Sequence, residues 1–173
     1  GIVLIGAVIL AFDYAVKKDY DFSIGYITTT YADDTFLEPI KQDVENIVGD
    51  INDDGKVRIN YNVTVHTPPN ALTFDMKLAE DNVMGMQFFA GDIRIYILEE
   101  KFVKDYSIYF SELESILPEE KLLGGIIRTP ENSDPEYTPK ESDGKIIAVP
   151  IENFKRLSEL NLPNSDKLYI GLR

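Results

Sequence analysis

At 173 residues the chain is about one domain's worth, long enough to bury a core without metals or disulfides. Thirty acidic against 17 basic residues give a net charge of −13, which repels phosphate backbones, so nucleic acid is not an expected partner. The absence of Cys removes thiolate zinc sites, thiol nucleophiles, disulfides and a lipid-modified cysteine anchor.

Residues Ile2 to Phe12 read IVLIGAVILAF and are followed at once by Asp13, Lys17, Lys18 and Asp19. A membrane-spanning helix needs about 20 apolar residues. Because the chain opens at Gly1 without Met, the run is expected to be the outer part of a membrane helix that begins upstream. Two other readings stand beside it: the hydrophobic region of a signal peptide, which lacks an Ala-x-Ala cleavage pattern here, and a buried helix of the domain. The expected organisation is residues 1–18 as a truncated transmembrane or anchor helix and 19–173 as a single extracytoplasmic α/β domain.

Phe22 to Ile27, continued by Thr28, Thr29, Thr30 and Tyr31, is rich in aromatic and β-branched residues and predicts a strand, with Gly25 allowing close approach of a neighbour. Asp33, Asp34 and Thr35 then offer N-caps, and Thr35 with Glu38 has capping-box spacing. Phe36, Leu37, Ile40, Val44, Ile47 and Val48 follow at helical period up to Gly49, a natural stop.

The next stretch, Asp50 to Val57, is acidic and flanked by glycine. Asp50, Asn52 and Asp54 supply oxygens at alternate positions, Gly55 permits a sharp turn and Lys56 offers a carbonyl, in the order of a calcium loop. Arg58 and Tyr61 occupy later positions where such a loop needs a water-bridging ligand and a bidentate Glu, so it is not an EF-hand. Two readings remain open: a helix-to-strand Ca2+ site completed by Asp53, Glu45 or a distant carboxylate, and a polar turn whose side chains bind nearby backbone.

Val57, Ile59, Tyr61, Val63 and Val65 alternate strictly with Arg58, Asn60, Asn62, Thr64 and His66, which predicts an edge strand with one buried and one wet face. His66, the only histidine, falls on the polar side and is expected to be solvated. After Thr67-Pro68-Pro69, Asn70 is the expected cap of a long helix through Ala71, Leu72, Met76, Ala79, Val83 and Met86, closed by Gly91. Ile93, Ile95 and Ile97 predict a third strand, and Glu99 to Tyr106 another helix.

Further on, Ser111 to Leu117 predicts a short helix, and residues 124–144, with Pro130, Pro135 and Pro139, a long surface loop. Lys145 to Val149 predicts a fourth strand, Ile151 to Leu160 a helix, and Lys167 to Leu172 a closing strand. Alternating strands and helices imply an α/β fold with a mostly parallel sheet flanked by helices, preceded by the apolar N-terminal helix.

The helix, the DINDDGKV loop, the edge strand, the second helix and AGDIRIYIL leading into EEKFVKDY together resemble one lobe of the type II extracellular solute-binding proteins. More closely, they resemble small uncharacterised proteins of Gram-positive bacteria that carry one N-terminal membrane helix and such a lobe. The resemblance covers roughly Asp21 to Tyr106. It implies a single periplasmic-binding-protein-like lobe, since a two-lobed clamshell needs about twice this length.

No phosphate-binding glycine motif and no Gly-x-Ser-x-Gly nucleophile elbow occurs. Glu99-Glu100, Glu119-Glu120 and Asp53-Asp54 read as solvated charge in so acidic a chain. A small solute is expected at the carboxyl ends of the strands, where Thr28, Thr30, Tyr31, Asn70 and Glu99 supply hydroxyl, amide and carboxylate groups. The expected function is therefore a non-enzymatic, membrane-anchored extracytoplasmic domain that binds a small solute or a protein. A carboxylate-dependent hydrolase and a structural assembly component are the alternatives.

Overall fold

In the computed structural model the described residues are 20–67, 71, 73–128, 144–160 and 162–173. The apolar run 2–12, with the helix expected there, lies outside them. Six strands, β1 (Phe22–Thr28), β2 (Ile59–Val65), β3 (Ile95–Glu99), β4 (Ile126–Arg128), β5 (Lys145–Pro150) and β6 (Leu168–Leu172), form one sheet in the order β2-β1-β3-β6-β5-β4. The α-helices are α1 (Glu38–Val48), α2 (Phe74–Ala90), α3 (Glu100–Asp105) and α4 (Lys155–Ser158).

The first half follows the α/β expectation. β1 pairs in parallel with β2, Phe22 opposite Ile59, and with β3, Ile24 opposite Ile95. The chain steps from β1 to one side through α1, then back across β1 to the other side through α2. Leu37 and Ile40 of the α1 segment pack with Tyr26 and Ile97, whereas Met84 and Phe88 of α2 pack with Ile27, Tyr96 and Leu98. Adjacent strand residues point to opposite faces, so α1 and α2 cover opposite faces of the sheet. β2 is an edge strand, as its alternation predicts.

The second half corrects the expectation of a mostly parallel sheet. β6 runs antiparallel to both β3 and β5, and β5 antiparallel to β4, so the sheet is mixed. The physical reason lies between Pro150 and Leu168. A parallel return needs a crossover of a dozen or more residues, usually a helix. The helix expected over Ile151 to Leu160 is instead a 3-10 turn at Ile151–Asn153 and the four-residue α4. The chain therefore turns back at the same end of the sheet.

Three smaller expectations also change. Ser111 to Leu117 forms no helix: the Ser111 and Leu113 N–H groups donate to the carbonyls of Leu172 and Ile146 at 2.7 and 2.8 Å, holding the segment along the sheet before a single turn. β4 takes residues 126–128 out of the expected proline-rich loop, while 129–143 lie outside the described residues. Finally, α2 is capped by Thr73, whose hydroxyl accepts the Met76 N–H at 3.3 Å. Asn70, the expected cap, is not among the described residues.

Gly25 fulfils its predicted role. A Cβ there would stand 2.6 Å from the Tyr96 ring, so glycine lets that fully buried tyrosine lie flat against β1.

Candidate functional site

The parallel strands end together at one pole, and a cavity of about 400 Å³ opens there. His66 and Thr67, leaving β2, form its floor. Thr73, Phe74, Lys77, Glu80 and Asp81 on the first turns of α2 make one wall, and Lys101, Phe102, Asp105 and Tyr106 of the α3 segment make the other. The Tyr106 hydroxyl donates to Asp81 Oδ1 at 3.0 Å and ties the two walls together. This volume sits at the lower end of the range usual for small-molecule sites.

His66 is the centre of the arrangement. Its backbone N–H donates to the Thr28 carbonyl at 2.8 Å, extending the β1–β2 ladder one residue past β2. Its ring lies against Phe102, centroid to centroid 4.9 Å, and the residue is only 7% exposed. The solvated position expected from the strand pattern is therefore corrected. His66 is on the polar side of β2, but α2 and α3 cover that side at the strand's end. The polar side chains of α2 meet it, Gln87 at Asn62 and Glu80 at His66.

His66 Nδ1 stands 3.0 Å from Glu80 Oε2, while Glu80 Oε1 accepts the Thr67 N–H at 3.2 Å. Burial pushes the Glu80 carboxyl up, but the bonds from Thr67 and His66 more than offset this and hold it below the ordinary carboxylate range. An ionised carboxylate only accepts hydrogen bonds. In the neutral form of His66 the proton therefore sits on Nδ1 and Nε2 is the lone-pair acceptor. That Nε2 is buried and, among the described residues, has no hydrogen-bond partner. Such a nitrogen is costly unless something else satisfies it.

The remaining charges are mixed. Lys101 Nζ sits over the Phe102 ring, 4.3 Å from its centroid, so the same ring meets both a cation and the imidazole, the latter tilted by 49°. Lys77 is one turn from Glu80 and Asp81 on α2. Among the described residues neither lysine, nor Asp105, forms an ion pair. The Tyr106 hydroxyl is held well above its ordinary value by burial and then by its bond to the Asp81 carboxylate, so it serves as a donor across the physiological range.

Of the residues expected to bind solute, Thr28, Thr30 and Glu99 are joined in one hydrogen-bond network. Glu99 Oε1 accepts from the Thr28 hydroxyl at 2.8 Å, the Thr29 N–H at 2.6 Å and the Thr29 hydroxyl at 2.9 Å. The Thr30 N–H donates to the Thr28 hydroxyl at 3.1 Å, and the Thr30 hydroxyl accepts from Asn164 at 2.6 Å. This network joins the β1 and β3 ends where the chain steps from β1 to opposite sides, and Glu99 also lines a second cavity of about 370 Å³ with Glu100, Lys101, Lys104 and Lys167. Tyr31 is 74% exposed and donates to Asp33. Asn70 lies outside the described residues.

The acidic loop stands at the other pole, before β2. Asp50 accepts the N–H groups of Asp54 and Gly55 at 3.1 and 2.8 Å, Asn52 also accepts from Asp54, and Asp54 accepts the Lys56 N–H at 2.9 Å and pairs with Arg58. Asp21, unmarked by any sequence motif, accepts the N–H groups of Ile51, Asn52 and Arg58 and pins the loop to the start of β1. Among the described residues no three His, Asp or Glu side chains converge as a metal-binding group.

Glu80, Lys77, Lys101, Asp105 and Tyr106 were not singled out by the sequence. One signal pointed to part of the set: Lys77, Asp81, Met84 and Phe88 fall on one stripe of α2, so its core face turns charged towards the N-terminus. Nothing local links His66 to a carboxylate 14 residues away.

Comparison with known families, with curated proteins and with solved structures finds no match for this chain.

Proposed function

We propose that this chain is a non-enzymatic, membrane-tethered extracytoplasmic binding domain, built like a single lobe of the type II extracellular solute-binding proteins, that seats a small polar solute in the His66–Glu80 cleft. The observation that carries this reading is a buried imidazole nitrogen without a partner among the described residues, on a side chain that lines an open cavity of about 400 Å³. The parallel strands also favour their carboxyl ends as the seat of a ligand. The tether is the apolar run Ile2–Phe12. β1 starts at the pole of the acidic loop, so a tether leading into it would leave the cleft at the far pole open to solvent.

Two measurements test the proposal. Fractionation with protease protection should find the full-length protein in the membrane with its domain outside. Thermal-shift screening of the full chain against small metabolites should find a solute that raises Tm in the parent and not in His66→Phe. A cytosolic protein, or a screen in which no solute acts through His66, would reject it.

A second reading rests on the same pair. An imidazole oriented by a carboxylate is also the arrangement of a general base, so a hydrolase in which His66 activates water is the alternative. Ester turnover by the parent, lost in both His66→Gln and Glu80→Gln, would favour it over pure binding.

A further inference from the structure

The cleft carries uncommitted groups of both signs together with one acceptor that fixes the chemistry of its partner. Glu80 is occupied by His66 and Thr67, and Asp81 by the Tyr106 hydroxyl. Lys77, Lys101 and Asp105 line the cavity without ion pairs among the described residues. A simple anion would satisfy the lysines but leave Asp105 opposed and enter a chain of net charge −13. A simple cation would satisfy Asp105 and meet Lys77 and Lys101. A molecule bearing both charges meets both sets.

The imidazole narrows this further. In the neutral imidazole with Nδ1–H facing the Glu80 carboxylate, His66 Nε2 accepts and does not donate. The group that satisfies it must bring its own N–H or O–H. A quaternary ammonium has the right charge but no proton to give to that nitrogen.

Resting on the solute-binding reading above, we infer that the ligand is a small zwitterion with a primary ammonium, and that His66 Nε2 selects it by accepting one ammonium N–H. The oxyanion end lies towards Lys77 and Lys101, and Asp105 balances the ammonium. Free amino acids and phosphoethanolamine share this chemistry. Glycine betaine and phosphocholine carry the same charges without the N–H.

His66 is the only histidine, so its ring gives a single set of signals in a long-range proton–nitrogen spectrum of the full chain. That spectrum and calorimetry are to be recorded with glycine, serine and phosphoethanolamine against glycine betaine and phosphocholine, with acetate and ethylamine as single-charge controls. The expected result is at least a tenfold preference for a primary zwitterion over its quaternary counterpart, with a shift at Nε2 while Nδ1 keeps its proton. A preference within the amino acids or for phosphoethanolamine identifies the source.

In His66→Phe, which keeps a ring against Phe102, the primary and quaternary affinities should converge. In Lys101→Met both should fall together and the preference should survive. Equal binding of primary and quaternary ligands by the parent overturns the inference, as does acetate or ethylamine binding as tightly as the zwitterions. If some other solute binds through His66 and no zwitterion does, the inference fails and the solute-binding reading stands. If nothing binds, both fail. The spectrum of the parent decides the matter even if the variants do not fold.

Discussion

Two carboxylates at the ends of the parallel strands are held by opposite logics. Glu99 is 9% exposed and its oxygens accept from threonine hydroxyls and a backbone N–H, so it ties the end of β3 to the end of β1 as a structural anion. Removing one donor leaves a buried lone pair unfilled, which typically costs about 1–3 kcal/mol. Thr28→Val, which keeps the branched shape of a fully buried side chain, is expected to lose stability in that range by urea denaturation.

Glu80 stands 3.0 Å from the His66 ring, and its depressed carboxyl sets a pH dependence. A carboxylate lowered in the folded state stabilises the fold above its unfolded value and loses that contribution as pH falls through the folded one. Glu80→Gln is therefore expected to have a lower urea midpoint than the parent at neutral pH. The gap should close as pH is taken below the ordinary value of 4.5. Urea titrations across that range check it; a gap that stays constant would mean that shape, not charge, is responsible.

At the scale of elements, α2 is the part whose outward pattern is most misleading. Its apolar residues occur nearly all round the helix. The stripe read from the sequence includes Met76, Val83 and Met86, which are 44%, 54% and 65% exposed, while the core contact is made by Met84 and Phe88, both fully buried. Phe88 touches the rings of Tyr96, Tyr106, Tyr109 and Phe110, whereas its neighbour Phe89 is 82% exposed. Phe88→Ala should cost about 3–5 kcal/mol. Phe89→Ala should change stability by no more than about 0.5 kcal/mol. Paired denaturation curves compare them directly, and similar losses would refute the assigned face.

The end of α2 is fixed from a distance. Gly91 takes a left-handed conformation at φ +79, and a Cβ there would collide with the Arg173 guanidinium. Arg173 in turn donates to the Phe89 carbonyl at 3.3 Å, and its backbone N–H donates to the Arg94 carbonyl at 2.9 Å. A cation at a helix C-terminus opposes the negative end of the dipole, so the last residue of β6's strand path locks the helix that walls the cleft.

For the molecule as a whole, the two poles of the sheet do different work: the acidic loop braces one, and the cleft opens at the other. β1 and β3 lie inside the sheet with helices on either face, while β2 and the three-residue β4 are edges. Amides in the most enclosed elements open only near global unfolding. Hydrogen exchange should therefore be slowest in β1 and β3 and fastest in β4; equal protection across all six strands would contradict this arrangement.

The sequence by itself determined the features set within a few neighbouring residues. Asp33 caps the first helical segment by accepting the Thr35 N–H, Gly49 and Gly91 stop α1 and α2, Gly25 admits Tyr96, and the alternation of β2 marks an edge strand. These follow from backbone sterics, capping and side-chain period, which are local. Only the tertiary structure decided the direction of β6, the buried face of α2 and the fate of His66. Strand direction depends on where the intervening chain can return. A helix that is apolar nearly all round has no preferred face until a sheet selects one. The cleft combines an imidazole after β2, a carboxylate on α2 and a ring on α3, and no short-range rule relates their positions. That is why Thr28, Thr30 and Glu99 were legible as strand-end residues, while the His66 cavity was not.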